Sequence, residues 1–228
     1  VVGSTTEHGF GGYAEYICLP ETGMLAAWSG SLPYEDAVTI PVGGRTALYF
    51  LRQAQIQPGQ KVLIYGASGS VGTFAVQLAK QFGAHVTGVC SAANVELGKS
   101  LGAGRVIDYT KEDFTRMGDT YDVIFDTVGK GSFAGCMRVL KPGGAYLQAV
   151  ASPGISMRMQ WTALTSGKRL VGGGPPREPA DLRCLIEMMQ AGQIKAVIDK
   201  RYRLDQIVAA HHYVGTGRKK SKVIILFE

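Results

Sequence analysis

The sequence has no Cys-x-x-Cys pair, and its four cysteines (Cys18, Cys90, Cys136, Cys184) stand far apart. That spacing argues against a disulfide framework and for free thiols in a reducing compartment, with a cytoplasmic location as the expectation. Long hydrophobic runs are also missing: none approaches the roughly 20 residues that span a bilayer. The first residues, Val1-Val2-Gly3, carry no Met and no basic stretch leading into an apolar one. We therefore expect a soluble protein with no targeting segment and no membrane partner. The net charge is +6, but it is spread along the chain. The one dense basic cluster is Arg218, Lys219, Lys220 and Lys222, read as an exposed turn or as a contact for a small polyanion. No nucleic-acid partner is expected.

Three catalytic signatures are absent. None of the ten tyrosines has Lys four residues on, which excludes short-chain dehydrogenases. Gly66-Ala67-Ser68-Gly69 has the wrong spacing for the Gly-x-Ser-x-Gly of a serine hydrolase. A methyltransferase needs an acid at the end of the second strand, and Val89-Cys90-Ser91-Ala92-Ala93-Asn94 offers none.

What is present is an alternation of short apolar runs with helical patterns. Lys61–Tyr65, His85–Cys90, Arg105–Asp108, Asp122–Asp126 and Ala145–Val150 read as strands, with a sixth possible at Arg169–Gly172. Between them, Val71–Phe82 carries apolar residues on one helical face, Asn94–Leu101 and Ser132–Leu140 read as helices, and Pro179–Ala191 follows the last strand. Lys141-Pro142-Gly143-Gly144 reads as a turn. Such alternation implies an α/β fold with a doubly wound Rossmann parallel sheet over 44–194. The flanks, 1–43 and 195–228, differ. Gly11–Pro20 reads as an alternating strand, followed at the other end by a short strand, the helix Leu204–Val214 and the strand Lys222–Phe227.

The stretch Gly66-Ala67-Ser68-Gly69-Ser70-Val71-Gly72 joins the first strand to the first helix. Glycines there allow a sharp turn and bring backbone N–H groups to an anion at the helix start. Written as a fingerprint it is Ala67-x-Gly69-x-x-Gly72, with Gly69 admitting a pyrophosphate and Gly72 packing helix on strand. The acid-free end of the second strand favours NADP(H), because a carboxylate would repel a 2′-phosphate while Ser91 and Asn94 can donate to it. Lys99, Tyr109 and the Arg218–Lys222 cluster, Lys220 and Lys222 included, are candidate partners for that phosphate.

Jointly, "GGYAEY", "PVGGRTALYFL", "GQKVLIYGASGSVGTFAVQLAK", "SLGAGRVIDY", "YDVIFDTVG" and "LKPGGAY" resemble the medium-chain dehydrogenase/reductase superfamily, within it the zinc-independent NADPH:quinone oxidoreductase branch. The resemblance implies that both flanks are remnants of a GroES-like barrel domain, 1–43 from its first pass and 195–228 from its return. It also implies that about a hundred residues precede this stretch in relatives, so that the chain as given is expected to bind NADP(H) but to turn over little alone. By the same resemblance Thr46 lies near the nicotinamide and Ser68, Gly69, Ser70, Val71 and Gly72 lie at the pyrophosphate. Ser91 and Asn94 lie at the adenosine phosphate and Tyr109 near the adenine. Thr127 and Val128 lie over the adenine or ribose, with Gln148, Ala149 and the residues to Ala151 near the nicotinamide. Two positions depart from close relatives: Ala93 stands where a basic residue is common, and Trp28-Ser29 where Lys-Pro is. Zinc-dependent relatives place a ligand four residues ahead of Thr46. Here that residue is Val42, and no metal is expected. His211 and His212 read as surface histidines on a helix.

The implied reaction is hydride transfer from NADPH to a quinone or enone, in a homodimer. No general acid is assignable. Alcohol dehydrogenase chemistry and a non-catalytic nucleotide-binding module are the alternatives.

Overall fold

The chain opens with β1 (Val2–Gly3) and β2 (Leu25–Ala26), an antiparallel pair. Next come α1 (Tyr34–Ala37), a π-helical turn over Ile40–Gly44 and α2 (Arg45–Ala54). This is a computed structural model, and it describes residues 1–228 apart from 7, 29–31, 151–156, 158, 160, 161, 163, 164, 177 and 228. Two compact units result, one of Thr46–Pro175 and the other of Val1–Arg45 with Pro176–Glu228.

The first of these units is built on a six-stranded sheet. Its elements are β3 (Lys61–Tyr65), α3 (Gly72–Gln81), β4 (His85–Cys90), α4 (Val95–Ser100), β5 (Arg105–Asp108), β6 (Tyr121–Asp126), α5 (Phe133–Val139), β7 (Leu140–Gln148) and β8 (Arg169–Val171). The strand order is β5-β4-β3-β6-β7-β8, and every pairing is parallel. The order reverses between β3 and β6, so the crevice at that point lies beyond the carboxyl ends of these two strands. The doubly wound arrangement follows from residue type. Val62, Leu63, Ile64, Ile124, Phe125 and Leu147 are fully buried, as expected for strands covered on both faces. The amphipathic α3 buries Phe74, Ala75, Leu78 and Ala79.

Lys141-Pro142-Gly143-Gly144 does not end one element and begin another, as the sequence suggests. The strand starts at Leu140 and runs through it. Tyr121 pairs with Leu140, then Val123 pairs with Ala145, so the four residues form a bulge inside β7. Asp122 explains why the chain does not leave the sheet. Lys141 Nζ donates to both carboxylate oxygens of Asp122 at 2.8 and 2.9 Å, and the Lys61 backbone N–H donates to the same group at 2.8 Å.

In the other unit, β9 (Ile198–Arg203) pairs in parallel with β10 (Lys222–Leu226), and the helix Ile207–Gly215 connects them. Among the described residues the flanks hold two strand pairs rather than a closed barrel. The expected strand over Gly11–Pro20 is not formed: these residues lie outside every strand and are almost all exposed. A strand needs a hydrogen-bonded neighbour, and no described residue pairs with this stretch. The helix Pro179–Gln190, assigned to the nucleotide-binding stretch on sequence grounds, groups with the flanks. Its buried residues Leu182, Leu185, Ile186 and Met189 explain this, since the helix packs against β2 and the π turn.

Candidate functional site

The turn from β3 into α3 is made by Gly66, at φ +85°, a conformation that side chains resist. A Cβ there would stand 2.3 Å from Val128 Cγ2. Gly66, rather than Ala67, therefore serves as the tight-turn glycine, and the working spacing is Gly66-x-x-Gly69-x-x-Gly72. Ala67 is fully buried and packs its methyl against the open face of Gly88 in β4. A Cβ on Gly72 would lie 2.0 Å from Gly66 O, so this glycine closes the first turn of α3 onto the loop. Gly69 differs from both. Its φ is ordinary, and a Cβ would meet only Gly66 O, at 3.3 Å. The fold itself asks little of Gly69, which leaves close approach by a ligand as its use. The helix behind has no side-chain cap; Thr73 N–H donates to Gly69 O at 3.0 Å and Gly69 N–H to Gly66 O at 2.9 Å, which leaves the N–H groups of Ser70, Val71 and Gly72 to face an anion in front of the loop.

Asn94 draws two of the candidate regions together. Its Nδ2 donates to Ser68 Oγ at 3.2 Å and to Ser91 Oγ at 3.1 Å, which ties the glycine loop to the end of β4. Its Oδ1 is buried without a partner. Next door, the sheet brings in an acid that the linear reading of the β4 end missed. Asp108 pairs in register with Cys90, and the Tyr109 N–H donates to Cys90 O at 3.1 Å. Asp108 Oδ1 accepts from the N–H and the hydroxyl of Thr110, and Oδ2 is buried without a hydrogen bond. Desolvation works to raise its pKa, but the Thr110 hydrogen bonds and Lys111 outweigh it and hold the carboxyl below its usual value. The ring of Tyr109 is 55% exposed, open for stacking.

After β6, Asp126 organises the loop that faces the glycine turn. It is 1% exposed. Oδ1 accepts from the N–H groups of Val128 and Gly129 at 3.0 and 2.7 Å. Oδ2 accepts from Gly131 N–H at 3.2 Å and from Tyr146 hydroxyl at 3.4 Å. Thr127 donates from its hydroxyl to Tyr65 O at 2.8 Å. Thr127 and Val128 are thus held against Gly66. Sequence reasoning did not find Asp126, although a lone acid closing an apolar strand is a signal in itself: buried, it must serve several donors. Gln148, 2% exposed, closes β7 opposite Asp126, and its Oε1 has no partner. Ala149 donates its N–H to Asp126 O at 3.1 Å. Ala151 lies outside the described residues.

Other candidates fall elsewhere. Thr46 is half-buried on α2 and, among the described residues, has no hydrogen bond to the loop. Lys220 and Lys222 belong to the other compact unit. The Lys220 N–H donates to Asp199 at 2.8 Å. Lys222 is half-buried, and burial followed by the nearby Lys219 charge lowers its pKa to about 8. Lys219, also half-buried, donates to Ser221 O, so the basic cluster is not a uniform exposed turn. Lys99 pairs with Glu96 at 2.9 Å. A groove of about 780 Å³ lies within the flanking unit, lined by Tyr34, Val38, His211 and Ile225 among others, and includes no residue of the glycine loop. His211 and His212 are exposed, and Tyr13 meets His211 edge-on at 5.6 Å.

The family model described as zinc-binding dehydrogenase matches residues 101–225. The 2-methylene-furan-3-one reductase of Solanum lycopersicum is 34% identical over 223 residues, covering 95% of this chain and 53% of its own. The chloroplastic quinone-oxidoreductase QR1 of Triphysaria versicolor is 30% identical over 236 residues, covering 99% of this chain and 71% of its own. A thermostable alcohol dehydrogenase from Pyrobaculum aerophilum superposes with a TM-score of 0.80 at 30% identity, covering 95% of this chain and 64% of the other. The chain thus spans little more than half of the tomato relative. It belongs to the zinc-binding dehydrogenase family. Its described residues do not fit a zinc ion. They hold no group of three His, Cys, Asp or Glu side chains able to bind one, and Val42 brings an aliphatic side chain to the π turn.

Proposed function

We propose, with that family membership as the premise, that the chain binds NADP(H) across the glycine loop and serves an oxidoreductase that reduces quinones or enones. The observation that carries the reading is the Ser68–Asn94–Ser91 cluster, which joins a pyrophosphate-sized glycine turn to an end of β4 that carries no acid of its own, Asp108 reaching it from β5. The residues present fit a dinucleotide. Gly69 leaves an open approach, the uncapped α3 offers N–H groups, and the buried acceptors Asn94 Oδ1 and Gln148 Oε1 await donors. The second of these would take the amide N–H of a nicotinamide carboxamide, and the first a ribose hydroxyl. Ser91 and the backbone beside Ala93 would meet the 2′-phosphate, with Tyr109 stacked on the adenine. The cofactor supplies the hydride. The chain's part is to orient the rings and keep water from them.

Turnover is proposed for the protein as a whole, because the curated relatives are longer than this stretch. The names of the tomato and Triphysaria relatives favour an enone or quinone acceptor. The likeness to the Pyrobaculum enzyme keeps alcohol oxidation as the second reading. The β8 edge, paired only with β7 among the described residues, is where we place a homodimer contact. We infer a reducing, cytoplasm-like compartment from four free cysteines.

The test is nicotinamide fluorescence on titration with NADPH and NADH, followed by turnover with a simple quinone and an enone. NADPH should bind more tightly. Ser91→Asp should weaken it by about 1–3 kcal/mol through charge repulsion beside the phosphate. Tighter NADH binding would sink the NADP reading, and reduction of neither acceptor by the whole protein would sink the reductase reading.

A further inference from the structure

The groove of about 780 Å³ in the flanking unit holds a charge that it does not balance. Val2, Ala37, Ala210 and Ile224 line it and are buried, while Tyr34 and Val38 line it and are exposed, which makes an apolar floor with an open rim. Lys222, the first residue of β10, lines the same groove and is half-buried. Among the described residues its Nζ has no ion pair and no hydrogen bond, and only its backbone N–H is engaged, donating to Val197 O at 3.3 Å. Glu35 is the one acid on the described lining, and Arg201 already holds it, with Nε and Nη2 both 2.7 Å from Oε2. On the neighbouring β9, Asp199 accepts from the Tyr213 hydroxyl at 2.6 Å and from the Lys220 N–H at 2.8 Å. His211 and the Val1 amine also line the groove, but both residues are exposed and keep water as a partner. Burial, followed by the Lys219 charge, lowers the Lys222 amine to about 8, so it still carries its proton at neutral pH. An ammonium withdrawn from water without a counter-charge is costly, and an anion relieves that cost.

We propose that this groove binds a medium-chain monocarboxylate, with the carboxylate on Lys222 Nζ and the alkyl tail along the apolar floor. Charge complementarity selects the head group. One unpaired ammonium matches one negative charge, whereas a dianionic phosphate would enter half-neutralised, because Lys219 donates to Ser221 O. A wholly apolar occupant would seal the ammonium from water and leave it unpaired. The volume lies within the roughly 300–1,000 Å³ of small-molecule sites. The tail supplies the affinity, at about fourfold per methylene buried. The site lies wholly within the flanking unit and shares no residue with the glycine loop, so it stands apart from the nucleotide reading.

The test uses the chain as it stands, without nicotinamide cofactor, and titrates it by calorimetry at neutral pH and constant ionic strength. Octanoate should bind saturably. It should bind about tenfold more tightly than hexanoate, which is two methylenes shorter, and about tenfold more tightly than octan-1-ol, which has no charge. In the unmutated protein, the Lys222 Cε–H resonances are followed by NMR through a pH titration, a readout that needs no variant to fold. With octanoate present the amine should titrate at higher pH than without it, because a bound carboxylate favours the charged form. Lys222→Met should raise the thermal midpoint of the unliganded chain, since it replaces an unpaired half-buried charge with an apolar side chain. It should also erase the preference for octanoate over octan-1-ol. Equal affinities for the two probes in the parent, an unmoved Lys222 titration, or a preference retained in Lys222→Met would each overturn the site. So would light scattering in which octanoate halves the mass, because a second copy of this chain would then be the occupant of the groove.

Discussion

The six-stranded unit and the flanking unit spend their apolar residues differently. In the sheet, Val62, Leu63, Ile64, Ile124 and Phe125 are sealed from solvent, and the loops at the strand ends are tied by short hydrogen bonds to buried groups. In the flanks, Tyr16, Tyr34 and Val208 are 89, 80 and 79% exposed, and among the described residues strands come only in pairs. The difference teaches where the geometry for binding is self-supported. A glycine loop whose turn, closure and facing loop are fixed by neighbours within one unit can hold a ligand without help. The flanks present apolar side chains that contribute little to their own folding.

The sharpest way to break the sheet unit is at Gly72. A Cβ there would overlap Gly66 O at 2.0 Å and stand 2.9 Å from Ala67 Cα, both backbone atoms that cannot turn aside. Gly72→Val should cost about 3 kcal/mol of stability, read by urea unfolding. It should also cut NADPH affinity about tenfold or more, because α3 must lift from the loop. A variant that keeps both would show that the loop closes some other way.

Asp126→Ala comes next. The carboxylate serves three N–H groups and the Tyr146 hydroxyl, and its removal strands all four donors. We expect a loss of about 2 kcal/mol in urea unfolding, concentrated in faster amide exchange at Val128 and Gly129. Unchanged exchange there would mean that the loop is held by other contacts.

The sheet was legible because its signals are local. Apolar runs, helical periodicity and glycine spacing are read along the chain, and they placed β3 to β8 in sequence. The sites that escaped notice depend on neighbours distant in sequence. Asp108 reaches the end of β4 only through strand pairing, and Gly66 is the turn glycine only because Val128 sits over it. The bulge at Lys141–Gly144 is kept within β7 by Asp122, nineteen positions from its Lys141 partner. Gly11–Pro20 failed for the opposite reason: alternation predicts a strand's faces, and the strand still needs an edge to pair with.

Alkaline pH should separate the units by sign. Burial, then Asp126, raises the Cys136 thiol to about 12 from its ordinary 9.0, and burial, then Asp108, raises Cys90 to about 11. Between pH 9 and those values the folded chain keeps protons that the unfolded chain releases, so stability falls as pH rises. Lys222 runs the other way. With a folded pKa of about 8 against 10.5, the unfolded chain binds the extra proton in that window, so stability rises with pH. Urea midpoints should therefore fall further between pH 8 and 10 in Lys222→Met than in the parent, because the rising contribution that offsets the cysteines is gone. In Cys136→Val the loss above pH 9 should shrink. Parallel profiles for parent and variants would remove the pH contrast between the units.

The smallest effect sharpens the comparison most, because one substitution can be made on a helix of each unit. Val76 in α3 is fully buried, and Val208 in the helix Ile207–Gly215 is 79% exposed. Val and Ser have similar helix propensities, so Val→Ser changes chiefly what burial makes of the side chain. At Val76 the change removes two methyl groups and buries a hydroxyl, which should cost about 2–3 kcal/mol. At Val208 the same change should stay within about 0.5 kcal/mol, since water already surrounds the side chain. The pair is measured by urea unfolding at one pH, with circular dichroism as a check on helix content. A Val208→Ser loss near that of Val76→Ser would mean that this flank face is covered in solution, and the contrast between the two units would then describe the isolated chain alone.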